Sequence, residues 1–295
     1  MNEGYLQEYL WWITERQEIY KRRFMLEEDR PWTDNQYLDA YHFCHAQREL
    51  DTGTKFALDT ILRQDKSNQG VLLNTIFYRF FNKPETVKMV GGFREPDDFN
   101  PEGLVDVLDA YGENNTLFSS AYRVTTQDWA GADTKHANIL LGVFRDHLLP
   151  NLDDYSRRIF GAGQMHDVFD ILTEIPGVGD FLAYEILTDL NYRHLRFSEN
   201  DFVNIGPGAE EGLERIFDDP DESSLRWLQE NQEQLYTKYD IQYPFLKGKQ
   251  ELTLRDLEHS ACEVRKYWTL VEPGATSHRK FEPRDHNQDS LENFS

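Results

Sequence analysis

Apolar residues recur at three- and four-residue intervals along most of the chain, with no sustained alternation in steps of two, so the pattern predicts helices and not strands. Leu6, Tyr9, Ile13, Tyr20 and Phe24 give a first amphipathic helix within residues 1–29, which Pro31 ends. Thr33 with Gln36 three positions on resembles a capping box and predicts a second helix over 34–50. Further helices are predicted at 55–63, 71–82 and 85–90, with Pro84 suited to a first helical turn. After a loop at Gly91, Gly92 and 96–101, helices resume at 102–111, 135–149 and 152–160. The pattern then predicts helices at 209–217, 222–239 and 254–270. From Glu272 on, Pro, Ser, Asn and charge replace apolar residues, and a disordered tail over 272–295 is expected. The expected fold class is therefore all-α, with residues 1–271 as a single helical domain.

The stretch that organises the chain is 164–191, QMHDVFDILTEIPGVGDFLAYEILTDLN. Val168, Phe169, Ile171 and Leu172 form one apolar face; Phe181, Leu182, Ile186 and Leu190 form another. Between them Pro176, Gly177, Val178 and Gly179 cannot continue a helix, because proline lacks a donor and glycine permits positive φ. Such a hairpin points unpaired N–H groups outward at a helix start, which suits an anion, most often a DNA phosphate. A tight turn in a helical bundle is the plainer alternative.

Charge at first argues against nucleic acid, since 31 Lys and Arg face 53 Asp and Glu for a net −22. Two features answer it. Basic residues cluster locally at Lys21-Arg22-Arg23, Arg157-Arg158 and Arg193–Arg196, and an acidic excess resembles the surface of proteins from high-salt cytoplasm. In molar salt, screening shortens to about 3 Å, so long-range repulsion fades. The expected setting is a reducing cytoplasm, in a halophilic host or its virus. Two cysteines without CxxC spacing support no zinc or iron–sulfur site, and no apolar run approaches the roughly eighteen residues of a membrane span. His42, Cys44 and His45 look like a ligand set, but a helix would spread them over divergent faces. No metal and no cofactor is assigned.

Candidate chemistry falls into clusters. Helix-hairpin-helix glycosylases carry an aspartate about twenty residues past the hairpin, and Asp201 stands twenty-two after Gly179, ahead of Gly206, Pro207 and Gly208. Asp189 sits inside the second hairpin helix, where a structural role is favoured. Phe181 occupies the position of the lysine used by bifunctional enzymes, so no Schiff-base step is expected. Arg48 and Asp51 share a helix face, as do Tyr78 and Asn82. With Arg79 between the latter pair, the two groups are expected to face each other and hold a flipped nucleotide, or else to form a buried ion network. Tyr122 and Arg123 are candidates for stacking on its base. Glu258, Glu263 and Lys266 read as surface pairs.

The blocks FCHAQRELD, FYRFFN, AYRV, IPGVGDFLAYEILTDLNY, NDFVNIGPGAEEGLERIF and RDLEHSACEVRKY resemble, in order, the helical domain of 5-hydroxymethyl-deoxyuridine DNA kinases. That family includes the α-glutamyl/putrescinyl-thymine pyrophosphorylases, or amino acid:DNA transferases, and is similar to helix-hairpin-helix DNA glycosylases. The resemblance implies a helix-hairpin-helix DNA glycosylase-like fold and a base-flipping enzyme on DNA with modified bases. No GxxxxGK[ST] phosphate loop occurs, so separate kinase or modification enzymes encoded nearby are expected partners. The favoured expectation is a monofunctional glycosylase, with Asp201, Asp51 and Arg48 as catalytic residues. The alternatives are an amine:DNA transferase displacing pyrophosphate and a non-catalytic DNA-binding module.

Overall fold

The computed structural model describes residues 1–120, 127–245, 249 and 251–272, and every regular element within them is helical. The chain divides into two compact units, one of Met1–Asp51 with the described residues from Phe202 on, the other of Thr52–Asp201.

In the first unit, α1 (Glu3–Tyr20) starts from an Asn2 cap and runs on into a wider turn, Lys21–Met25. It is followed by α2 (Gln36–Ala40) and a 3₁₀ turn at Arg48–Leu50. After the second unit the chain returns as α11 (Pro207–Leu213), α12 (Glu222–Lys238) and α13 (Leu254–Val271). Leu254, Leu257, Ala261, Val264 and Trp268 lie at helical spacing on α13 and are all buried. Tyr9 of α1 donates its hydroxyl to the Leu257 carbonyl at 2.7 Å, fixing one helix on the other. Helix α11 approaches α13 closely because its residues are small. A Cβ on Gly212 would stand 2.2 Å from the Ala261 carbonyl oxygen, and one on Gly208 2.7 Å from Cys262 Sγ.

In the second unit, α3 (Thr52–Phe56, continuing over Ala57–Ile61) leads into α4 (Asn68–Phe81). Every α4 residue from Gly70 to Phe81 is buried, which marks the central helix of a bundle. Around it run α5 (Pro84–Met89), α6 (Pro101–Gly112) and α7 (Lys135–Ala137, continuing over Asn138–Leu148). Then follow α8 (Leu149–Phe160), α9 (Met165–Thr173) and α10 (Asp180–Leu190). Phe77, Phe81, Phe99 and Phe144 interlock as edge and stacked ring pairs around α4. Each such ring contributes about 1.5–3 kcal/mol by leaving water.

The predicted helix over 34–50 is the main departure. It stops at Tyr41, whose backbone is extended (φ −118°, ψ 152°), and Asn35 rather than Thr33 caps it. The cause is tertiary. Side chains distant in sequence take the backbone groups that a helix would have used: Glu263 accepts the Cys44 N–H at 2.9 Å and Asp256 the Arg48 N–H at 3.0 Å. From α1, Arg16 donates to the carbonyls of Cys44 and Phe43 at 3.1 and 2.8 Å. Of the tail, Glu272 is described and pairs with Arg215; the remainder, like Tyr122 and Arg123, lies outside the described residues.

Candidate functional site

The extended segment of the first unit brings two distant sequence blocks together. Asp51 accepts the His45 N–H at 2.8 Å, the Arg48 guanidinium at 3.1 Å, and lies 3.3 Å from His259 Nε2 on α13. Burial works to raise the Asp51 carboxyl, but the close approach of His259, with Arg48 and His45, outweighs it and leaves it well below the usual range. Glu263 stays ionised against burial through Lys266 and His259. The surface pairs expected on α13 are therefore not at the surface: Glu258 and Glu263 are buried. Glu258 accepts the Gly206 N–H at 3.2 Å and an Arg255 bond at 2.8 Å, so the Gly206-Pro207-Gly208 turn is tied to α13.

Cys44 Sγ, one Asp51 oxygen and one His259 nitrogen lie within 4.8 Å of one another. Residues 41–47 are not helical, so His42, Cys44 and His45 are not spread over the faces of a helix as expected. The donor types suit a transition ion. Two facts stand against it: Arg48 already neutralises Asp51, and burial, with Asp51 and Glu263, pushes the Cys44 thiol far above its ordinary value. His259 was missed in the sequence because its partner Asp51 lies 208 positions away and no spacing links them.

In the second unit, Arg79 is buried between two carboxylates of α10. It meets Asp189 at 2.5 and 2.6 Å and Glu185 at 3.2 Å, and reaches Asn82 Oδ1 at 3.3 Å. Tyr78 is 1% exposed and donates to the Gly53 carbonyl at 3.0 Å. Asn82 ends α4 in the left-handed region (φ 47°). Arg48 and Asp51 thus belong to one unit, and Tyr78, Arg79 and Asn82 to the other. Asp201 is an exposed loop residue whose carboxylate accepts the Ser198 N–H at 3.2 Å.

The turn between α9 and α10 is open. Ile175 and Val178 anchor it in the core, while Gly177 and Gly179 are exposed. Gly177 has φ +79°, and a Cβ there would meet the Trp129 ring at 2.6 Å. No side chain caps α10, so the N–H groups of Asp180, Phe181 and Leu182 have no intrahelical acceptor. A hollow of about 430 Å³ adjoins the turn, lined by Gln127, Trp129 and residues 173–179. Phe181 beside it is 45% exposed.

With this geometry in hand, similarity to known proteins decides the family. The sequence model of the family described as "5-hmdU DNA kinase, helical domain" matches residues 3–276. The chain belongs to that family. A curated relative, the 5-hmdU DNA kinase of Bacillus phage SP10, is 31% identical over 281 residues, covering 87% of this chain and 44% of the relative. The chain thus spans less than half the length of that relative. No solved structure matches. Membership overturns the expected DNA N-glycosylase. A kinase moves a phosphoryl group and leaves the glycosidic bond intact, and the family description names neither a glycosylase nor a hydrolase. The stabilising role given to Asp201 belonged to base excision and goes with it. Neither description names an amine:DNA transferase or a binding-only module. Among the described residues, no helix is long and apolar enough to cross a membrane.

Proposed function

We propose that this helical member of the family acts in the phosphorylation of 5-hydroxymethyldeoxyuridine in DNA, and that its part is to recognise the modified strand. The observation that carries this reading is the similarity to the phage 5-hmdU DNA kinase over 87% of the chain. The geometry that agrees with it is the uncapped start of α10. The backbone amides of the first turn of α10, at an exposed turn, hold a phosphate of the strand, with Trp129 and Phe181 beside them to meet a base. Amide contacts suit a chain of net charge −22 better than lysine steering.

The test is incubation with ATP, Mg²⁺ and matched duplexes containing 5-hydroxymethyldeoxyuridine or thymidine, the intact chain being assayed alone and with a nuclear-free extract of a host carrying such DNA. Digested nucleosides are then weighed. A gain of one phosphate on the hydroxymethyl nucleoside, dependent on the chain, supports the reading. Unchanged nucleosides in both settings, or free base released from the sugar, overturn it.

A further inference from the structure

Helix α10 runs on at its C-terminal end into a wider turn, Asn191–Leu195, which Arg196 closes in the left-handed region (φ 64°). We propose that this loop is a second contact for the DNA backbone, with the Arg193 and Arg196 guanidiniums each holding a phosphate. It rests on DNA as the partner in the reading above, and not on which base is recognised.

The loop is built to hold its shape. Asn191, 5% exposed, donates Nδ2 to the Phe197 carbonyl at 3.0 Å and accepts the Phe197 N–H at 2.7 Å. The Arg196 N–H reaches the Asn191 carbonyl at 3.3 Å. Neighbouring segments fix it further. Gln64 donates to the Arg193 carbonyl at 2.6 Å, His194 Nε2 lies 3.3 Å from the Leu62 carbonyl, and the Phe160 ring meets the imidazole edge to face. On this backbone Arg193 and Arg196 stay exposed.

Charge sets these two side chains apart. In the second unit Arg63, Arg79, Arg145, Arg157 and Arg158 each meet a carboxylate, and Arg94 is taken up by backbone carbonyls. Among the described residues, neither Arg193 nor Arg196 forms an ion pair, in a chain with 53 Asp and Glu. Both charges also act on one imidazole. Burial lowers the His194 pKa, the Leu62 carbonyl opposes it, and Arg193 and Arg196 lower it further. A helix C-terminus favours a cation, which accounts for one of the arginines but not for two beside His194. Phosphates bound at the loop relieve that repulsion.

DNA is the favoured anion because the loop continues the helix whose first turn serves the strand. The eleven residues of α10 span about 16 Å at about 1.5 Å each. That is about five base steps at about 3.4 Å, so one short duplex is long enough to reach both ends. The arginine fork also matches phosphate oxygens better than a lysine does.

The experiment is fluorescence anisotropy of the intact protein with the thymidine and 5-hydroxymethyldeoxyuridine duplexes, over about 0.05–0.5 M salt. The variants are Arg193→Gln, the double variant with Arg196→Gln, and Arg145→Gln as a charge control. The double variant is expected to bind both duplexes about tenfold or more weakly at about 0.1 M salt. Its slope of log affinity against log salt is expected to shallow by about two, one for each phosphate lost. Phosphate contacts carry no base information, so both duplexes weaken alike. Arg193→Gln alone is expected to show half the change in slope, and it carries the test if the double variant does not fold. Arg145→Gln, which removes an exposed charge paired with Asp146, is expected to leave the slope unchanged. An unchanged slope in the double variant, an equal change in Arg145→Gln, or no DNA binding by the wild type overturns the proposal. So does affinity for oligoglutamate lost while that for DNA is kept, which assigns the loop to an acidic protein. Preference for the modified duplex separates the two readings. Preference kept with an unchanged slope removes the loop contact alone, whereas a shallower slope without preference removes the recognition reading alone.

Discussion

The Arg79 guanidinium of α4 donates Nε to Asp189 Oδ2 at 2.6 Å, joining the two helices 110 residues apart inside the second unit. Both side chains are at most 2% exposed, and Glu185 closes the other side at 3.2 Å. Removing one partner leaves a buried charge unmatched, at about 3–5 kcal/mol. Arg79→Met strands two carboxylates and Asp189→Asn leaves Glu185 still paired. Urea unfolding is expected to show the arginine variant as the less stable of the two.

Asp51 gives the first unit a pH dependence. Its folded pKa lies below the unfolded value, so its stabilisation is present above about pH 4 and is lost as pH falls toward the folded value. Asp51→Asn removes this and exposes Arg48 and His259 to each other. The variant is expected to lose about 3–5 kcal/mol at pH 7, with the gap to wild type narrowing in acid. Melting curves from pH 7 to pH 2 check both statements.

Close approach of α11 to α13 rests on Gly212, where a Cβ would lie 2.2 Å from a backbone oxygen. Backbone cannot step aside as a side chain can. Gly212→Ala is expected to cost about 1–3 kcal/mol, whereas Gly163→Ala, with open space around it, should stay within about 0.5 kcal/mol. Thermal unfolding of the two variants side by side measures the difference.

The helices were legible where apolar spacing alone decides them. Those of α4, α6, α12 and α13 agree with their predicted bounds within about three residues at either end. The segment from Tyr41 to Asp51 was not legible. Its period is helical, but Glu263, Asp256 and Arg16 compete for its backbone from far along the chain, and no local pattern encodes that. The same holds for His259, visible as a residue but not as a partner of Asp51. The turn after α9 was readable because proline and two glycines declare it; what it binds was not, since a turn has the same residues whether or not it holds a strand.

Gly177 links that turn to the proposed function. Its positive φ and its contact with Trp129 exclude a side chain. Gly177→Ala is expected to cost about 1–3 kcal/mol through strain and to weaken DNA binding at temperatures where the protein stays folded, as seen by gel shift.

The central claim, recognition of modified DNA by this chain, is tested most directly by fluorescence anisotropy with two duplexes differing only in one 5-hydroxymethyldeoxyuridine in place of thymidine. One added hydroxyl bond, worth about 0.5–1.5 kcal/mol, predicts tighter binding of the modified duplex by a few-fold to about tenfold, with the preference kept as salt rises. Equal affinity for the two duplexes, or no binding to either, would contradict the account.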